Sequence, residues 1–114
     1  MWEVDFLNET VEGEFRSLSP DIQAKFDRIV DLIRSHGLEN IGRPYVAPVR
    51  GKIWEIRLKS NGARGLYVTR KGERVVILRF FDKKTQKTPK KEIGLAEDRL
   101  KQLQKESTDP RRRL

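Results

Sequence analysis

The chain has no cysteine and a single histidine in its 114 residues. No disulfide scaffold and no thiolate metal site can be built from it. His-cluster zinc sites and nearly all histidine-based catalysis are excluded as well. His36 falls at the end of a helical pattern, just before Gly37, and reads as a helix C-terminal or surface residue. Long hydrophobic runs are missing: nothing approaches the ~18 consecutive apolar residues of a membrane helix. The N-terminus, MWEVDFLNET, is acidic and alternating, unlike a signal or transit peptide. The expectation is a cytoplasmic protein with no cofactor and no membrane contact. Its chemistry must run on Lys, Arg, Glu, Asp, Tyr or Ser.

Hydrophobic residues make up 36% and charged residues 37%, enough for one small core and one domain. That domain is placed at 1–106, with 107–114 as a basic, disordered tail. The net charge of +8 is unevenly spread. Residues 1–40 carry 4 basic and 9 acidic side chains, whereas residues 41–114 carry 21 basic and 8 acidic ones. A net −5 half beside a net +13 half suggests a scaffold joined to a polyanion-binding surface, with nucleic acid the favoured polyanion.

Trp2, Val4 and Phe6 alternate with acids and predict a strand. Asn8 caps a short helix over Val11, Phe15 and Leu18. Ser19-Pro20-Asp21 starts a longer amphipathic helix over 20–35, with Ile22, Phe26, Ile29 and Ile33 on one stripe and Gly37 as its stop. Residues 38–52, with Gly42, Pro44, Pro48 and Gly51, read as a loop. Ile53–Leu58 alternates, with Trp54, Ile56 and Leu58 expected inward and Ile53, Glu55 and Arg57 on the other face. Asn61-Gly62 and Lys71-Gly72 are turn signals around a strand over 63–69. Val75–Phe81 is an apolar run broken by Arg79 and reads as a central strand. Thr88 and Pro89 are expected to cap and start a last helix with Ile93, Ala96, Leu100 and Leu103 inward. The order is β-α-α-β-β-β-α, an α+β domain with one antiparallel sheet, an early helical pair and a C-terminal helix.

The basic half has a chemical logic. Arg57, Arg64 and Arg79 fall on three successive strands, and a guanidinium grips two phosphate oxygens at once. Arg79 inside an apolar run requires a partner or a ligand, because unpaired burial of a cation is costly. Lys83, Lys84 and Lys87 follow that strand, and a lysine crowded by like charges can serve as a general base. Arg50, Lys52, Lys90 and Lys91 extend the basic surface. These groups suit metal-independent RNA cleavage, in which the 2′-OH attacks and cations stabilise the phosphorane. Tyr67 is available to orient the base or the phosphate. No carboxylate cluster for a metal nuclease is evident: Glu55 and Asp82 stand alone, and Glu92, Glu97 and Asp98 read as helix surface.

Three segments resemble the RelE/ParE superfamily of bacterial type II toxins, in its HigB-like, phage-derived branch. Lys83-Lys84-Thr85-Gln86-Lys87-Thr88-Pro89, leading into Glu92-Ile93, matches that branch's signature. Gly51-Lys52-Ile53-Trp54-Glu55-Ile56-Arg57 is similar to its G-x-L-W-E-L-R, and Arg64-Gly65-Leu66-Tyr67 to its Y-R-V-x-Y. The likeness spans roughly 1–103. It implies a RelE-like fold and a ribosome-dependent mRNA endoribonuclease. It also implies a cognate antitoxin with a helix-turn-helix domain, through which alone DNA would be reached. Carried over by motif, the catalytic set is Arg57, Arg64, Lys83, Lys84 and Lys87, with Tyr67 as a weaker member. RNA-binding candidates are Arg79, Lys52, Arg50, Lys90 and Lys91, and no metal is expected. Two departures stand out: Ala63 replaces the tyrosine before Arg64, and Arg79-Phe80-Phe81 replaces an H-G-F. Either Arg79 takes the histidine's place as a phosphate clamp, or activity is reduced. The competing reading is a non-enzymatic inhibitor, such as a ParE-like gyrase poison or an inactivated toxin kept for binding.

Overall fold

The structure, a computed structural model, describes residues 1–42, 45–59, 62–82, 87–106 and 112–113. Its elements are β1 (Glu3–Phe6), α1 (Glu9–Arg16), α2 (Pro20–His36), a 3-10 turn (Leu38–Asn40), β2 (Val46–Arg50), β3 (Ile53–Arg57), β4 (Arg64–Arg70), β5 (Arg74–Phe81), α3 (Lys90–Glu106) and β6 (Arg112–Arg113). The helix starts follow their caps: Asn8 accepts from the Val11 N–H and Ser19 from the Ile22 N–H. At the end of α2, Gly37 adopts φ +86 and returns its N–H to the Ile33 carbonyl, a conformation that costs glycine least.

One six-stranded sheet runs in the order β2-β3-β4-β5-β1-β6. It is mostly antiparallel, but β1 lies parallel to β5, from Glu3 opposite Arg74 to Phe6 opposite Ile77. The β3–β4–β5 part is the expected antiparallel meander, and the pairing of the first strand, which the sequence leaves open, is parallel. The first strand reaches its neighbour through the length of the chain rather than through a hairpin, so its direction is not tied to a turn. One correction is β2, which occupies part of the stretch read as loop. Pro48 pairs opposite Trp54 with a bulge beside it, and an edge strand tolerates proline because one side of its backbone needs no ladder partner. Another concerns the tail: Arg112 and Arg113 pair with Phe6 and Asp5 as a short edge strand. The rest of the tail, 107–111 and 114, lies outside the described residues, as does Asn61 of the expected turn.

Helices α1 and α2 cover one face. There Phe6, Phe15, Phe26 and Phe80 form a ring cluster, with Phe26 and Phe80 edge to face at 5.1 Å. Gly65 lies opposite Phe80 in the ladder, and a Cβ there would meet the Phe80 ring at 3.0 Å. Helix α3 covers the other face with Ile93, Ala96 and Leu103 buried. Among the described residues no helix is long and apolar enough to cross a membrane.

Strand β5 outruns its neighbour β1. The pairing with β1 stops at Ile77, so the backbone from Leu78 onward must find other partners. Side chains supply them. The Phe80 N–H donates to Glu14 Oε1 at 3.2 Å, and Arg99 Nη1 donates to the Leu78 carbonyl at 2.8 Å. Glu14 from α1 also takes Arg99 and Arg79, each at 2.7 Å, and Arg79 Nε reaches Glu92 of α3 at 2.8 Å. Burial pushes the Glu14 carboxyl up, but hydrogen bonds from Arg99, the Phe80 N–H and Arg79, with the Arg99 charge, outweigh it and hold it below its ordinary value. Burial works against the Arg79 cation, yet Glu92 and Glu14 raise its affinity for the proton.

Glu14→Gln should therefore lower stability by about 2 kcal/mol at neutral pH, since two partly buried arginines lose their anion. A carboxylate held below its unfolded value of about 4.3 adds stability above that pH and loses it as pH falls through the folded value. The gap between wild type and variant should close in acid, as followed by denaturant unfolding at a series of pH values.

Candidate functional site

Arg57 and Arg64 lie directly opposite each other on β3 and β4. Strand alternation puts Glu55 on the same face, two residues before Arg57. Arg57 Nε donates to Glu55 Oε2 at 2.7 Å. The other oxygen of Glu55 accepts from the Thr88 hydroxyl and lies 3.7 Å from Arg64 Nη1. Arg64 Nη1 also donates to Thr88 Oγ1 at 3.0 Å. A buried carboxylate thus holds two guanidiniums at the place where the chain enters α3. Their exposures differ: the Arg57 side chain is 36% accessible and that of Arg64 only 2%. Arg57 is thus accessible to a ligand, whereas Arg64 lies behind the surface.

Thr88 was expected to cap α3. Instead the Pro89 carbonyl accepts the first helical N–H groups, from Glu92 and Ile93, and the Thr88 hydroxyl is released to bridge Arg64 and Glu55. Lys87, Lys90 and Lys91 are exposed on either side of that junction. Lys83 and Lys84 lie outside the described residues.

The other candidates are placed elsewhere. Arg79 shares the sheet face of Arg57 and Arg64, but Glu14 and Glu92 occupy it, so it is a structural cation rather than a phosphate clamp. Glu92, read as helix surface, is its buried partner, 1% exposed. Glu55, read as isolated, is the centre of the cluster. Tyr67 pairs opposite Trp54 on the reverse face, buried, with its phenol pushed up to about 12 by burial. It lines an apolar groove of about 370 Å³ with Trp2, Leu38, Ile41 and Trp54, and so cannot orient a phosphate held by Arg57. Trp54, expected inward, is 40% exposed at that groove. Arg50 and Lys52 lie at the far end of β3, on the order of 15 Å along the strand from Arg57, and Arg50 pairs with Glu97 at 3.2 Å.

Glu55 and Thr88 escaped the sequence reading, although the alternation that exposed Arg57 also placed Glu55 beside it. The arrangement can bind a phosphodiester at Arg57, with Arg64 and Glu55 fixing its geometry and exposed lysines adding charge.

The model of the family described as Phage derived protein Gp49-like (DUF891) matches residues 13–101. Among solved structures, the toxin–antitoxin complex RelBE2 from Mycobacterium tuberculosis is similar at 25% identity and a TM-score of 0.52, covering 72% of this chain and 98% of that one. The isolated RelE toxin of E. coli gives 18% identity and a TM-score of 0.52 over 88% of this chain and 99% of that one. The YoeB–YefM complex from Staphylococcus aureus gives 16% and 0.52 over 71% and 95%. No curated protein matches the sequence significantly.

Two outcomes follow from the geometry. Glu55→Ala should cost roughly 3–5 kcal/mol, because Arg64 is left buried without its anion; urea unfolding followed by circular dichroism measures it. Tyr67, raised to about 12, should contribute stability below its unfolded value of about 10 and lose it as pH rises through the folded value. Tyr67→Phe should therefore flatten the alkaline unfolding curve between those limits, read by circular dichroism against pH. The match over residues 13–101, together with the shared architecture, shows that the chain belongs to the phage-derived Gp49-like family and to the RelE/ParE toxin superfamily.

Proposed function

We propose that this protein is the toxin of a type II toxin–antitoxin pair and that it cleaves mRNA on the ribosome. The observation that carries this reading is the Arg57–Glu55–Arg64–Thr88 cluster at the start of α3. RNA brings its own nucleophile, the 2′-OH. What the protein must add is a cationic cradle for the phosphorane, a base for the 2′ proton and an acid for the leaving 5′ oxygen. Arg57 supplies the cradle and Arg64 sets its position. Lys83, Lys84 and Lys87 are the candidates for base and acid, with Lys90 and Lys91 adding charge along the RNA. Among the described residues no group of three His, Asp or Glu side chains could hold a metal. The partner is an antitoxin with a helix-turn-helix domain, as in the HigB-like branch, and DNA is met only through it. The pair acts in the cytoplasm.

Induction in bacteria should arrest translation, and mapped mRNA 5′ ends should show new cuts. In vitro, cleavage should persist in EDTA, leave a 2′,3′-cyclic or 3′-phosphate, and stop at a single 2′-deoxy substitution. Arg57→Ala should reduce cleavage by ~10²-fold, the usual loss of one preorganised charge at an oxyanion, with the fold intact. Arrest of DNA synthesis without new mRNA ends would instead identify a gyrase-directed, non-enzymatic inhibitor.

A further inference from the structure

At the end of the sheet remote from Arg57, the β2–β3 and β4–β5 turns come together beneath the C-terminal half of α3. They enclose a cavity of about 440 Å³. Thr69 and Gln104 line it beside Val68, Leu100 and Leu103. Its rim carries Lys52, Arg70, Lys71 and Arg74, and no carboxylate is among the described residues that line it. Arg70 and Arg74 pair directly opposite each other on β4 and β5, and like charges in that position are unfavourable. Arg74 takes Asp5 at 2.7 Å from the side, but the lining as a whole retains an excess of positive charge. Lys52 and Lys71 are exposed, one on each turn. A cavity that gathers four cations beside neutral polar side chains suits a polyanion. A single-stranded nucleic acid has that chemistry, since its phosphates are tracked by a positively charged groove.

We infer that this cavity is a second RNA site, separate from the Arg57–Arg64 cluster and roughly 20 Å from it along β4. It holds the phosphodiester backbone of an RNA segment that is not the one cut. The assignment rests on the reading of the chain as RNA-directed, but not on cleavage. Lys52 belongs to this site rather than to the catalytic one, which accounts for its distance from Arg57. An acidic protein segment with apolar anchors is the competing occupant. RNA is favoured because the cavity opens on the same sheet face as the cluster proposed to hold the scissile phosphate.

The test uses the full chain and a fluorescein-labelled 2′-O-methyl RNA of about 20 nucleotides and mixed sequence, which lacks the nucleophile. Fluorescence anisotropy gives the affinity at several KCl concentrations for wild type and for the Lys52→Gln/Lys71→Gln double variant. Loss of two phosphate contacts should make the slope of log affinity against log salt shallower by about 1.4, the single-strand value for two contacts. Affinity at low salt should fall as well, with an unchanged Tm. An unchanged slope, or a wild type that does not bind the probe, overturns the second site. Weakened binding of a Glu- and Leu-containing peptide with RNA binding intact would make the cavity a protein site and overturns the RNA assignment. The two proposals fail separately. A shallower slope in a protein that cuts no mRNA rejects the nuclease and keeps the cavity. Cleavage with an unchanged slope does the reverse.

Discussion

The half of β5 that outruns β1 is the constraint around which the molecule is organised. A central strand whose neighbour stops short would leave N–H and C=O groups stranded inside the protein. The structure closes that gap with Glu14 and Arg99 rather than with more strand. Once those two charges are buried there, they require each other, and Arg79 and Glu92 complete the balance. The consequence is mechanical. Helix α1 on one face and helix α3 on the other are tied to the same stretch of β5, so the start of α3 is held in place. Thr88, Lys87 and the arginine pair inherit that position.

The arginine cluster reuses the same device at a second place. Glu55 is buried, and a buried carboxylate persists only where cations and donors surround it. Here the surrounding groups are the ones that a phosphate would need. Binding and folding therefore draw on one set of charges. Arg57 remains partly accessible, so under the proposed function an incoming phosphate would compete with Glu55 for a guanidinium that is already oriented. Orientation in advance reduces what a ligand must spend on ordering the site.

Periodicity made most of the scaffold legible. Asn8, Ser19-Pro20 and Gly37 marked the helix limits, and the inward stripes of α2 and α3 emerged as expected. What escaped was set by tertiary partners. Pro48 argued for a loop, because sequence does not show that a strand will lie at an edge. Arg79 was seen to need a partner or a ligand, yet its partners, Glu14 and Glu92, lie 65 and 13 positions away on different helices. Both carboxylates sit in helical patterns where a solvent-facing acid is the common case. Tyr67 followed Arg64 in a motif, but three residues along a strand reverse the face. Alternation alone separates the two once the register is known. Alternation with Ile56 and Leu58 places Trp54 on an inward face, whereas the groove beside it is left open.

The parallel pairing of β1 with β5 bears on how the chain acquires its shape. Val4 meets Val75 and Phe6 meets Ile77, contacts that span most of the sequence. Loops of that length close slowly, and the entropy of closure is lost before any contact returns it. During synthesis the first strand is made early and has no neighbour to join. The β3–β4–β5 meander, linked by short turns, can assemble without it. Trp2 to Phe6 is thus added to a sheet that others have begun, and the ring cluster containing Phe6 closes only then. A nascent chain reaches residue 77 before its own beginning can be folded, and the Arg57–Arg64 pair is not locked by Thr88 until later still.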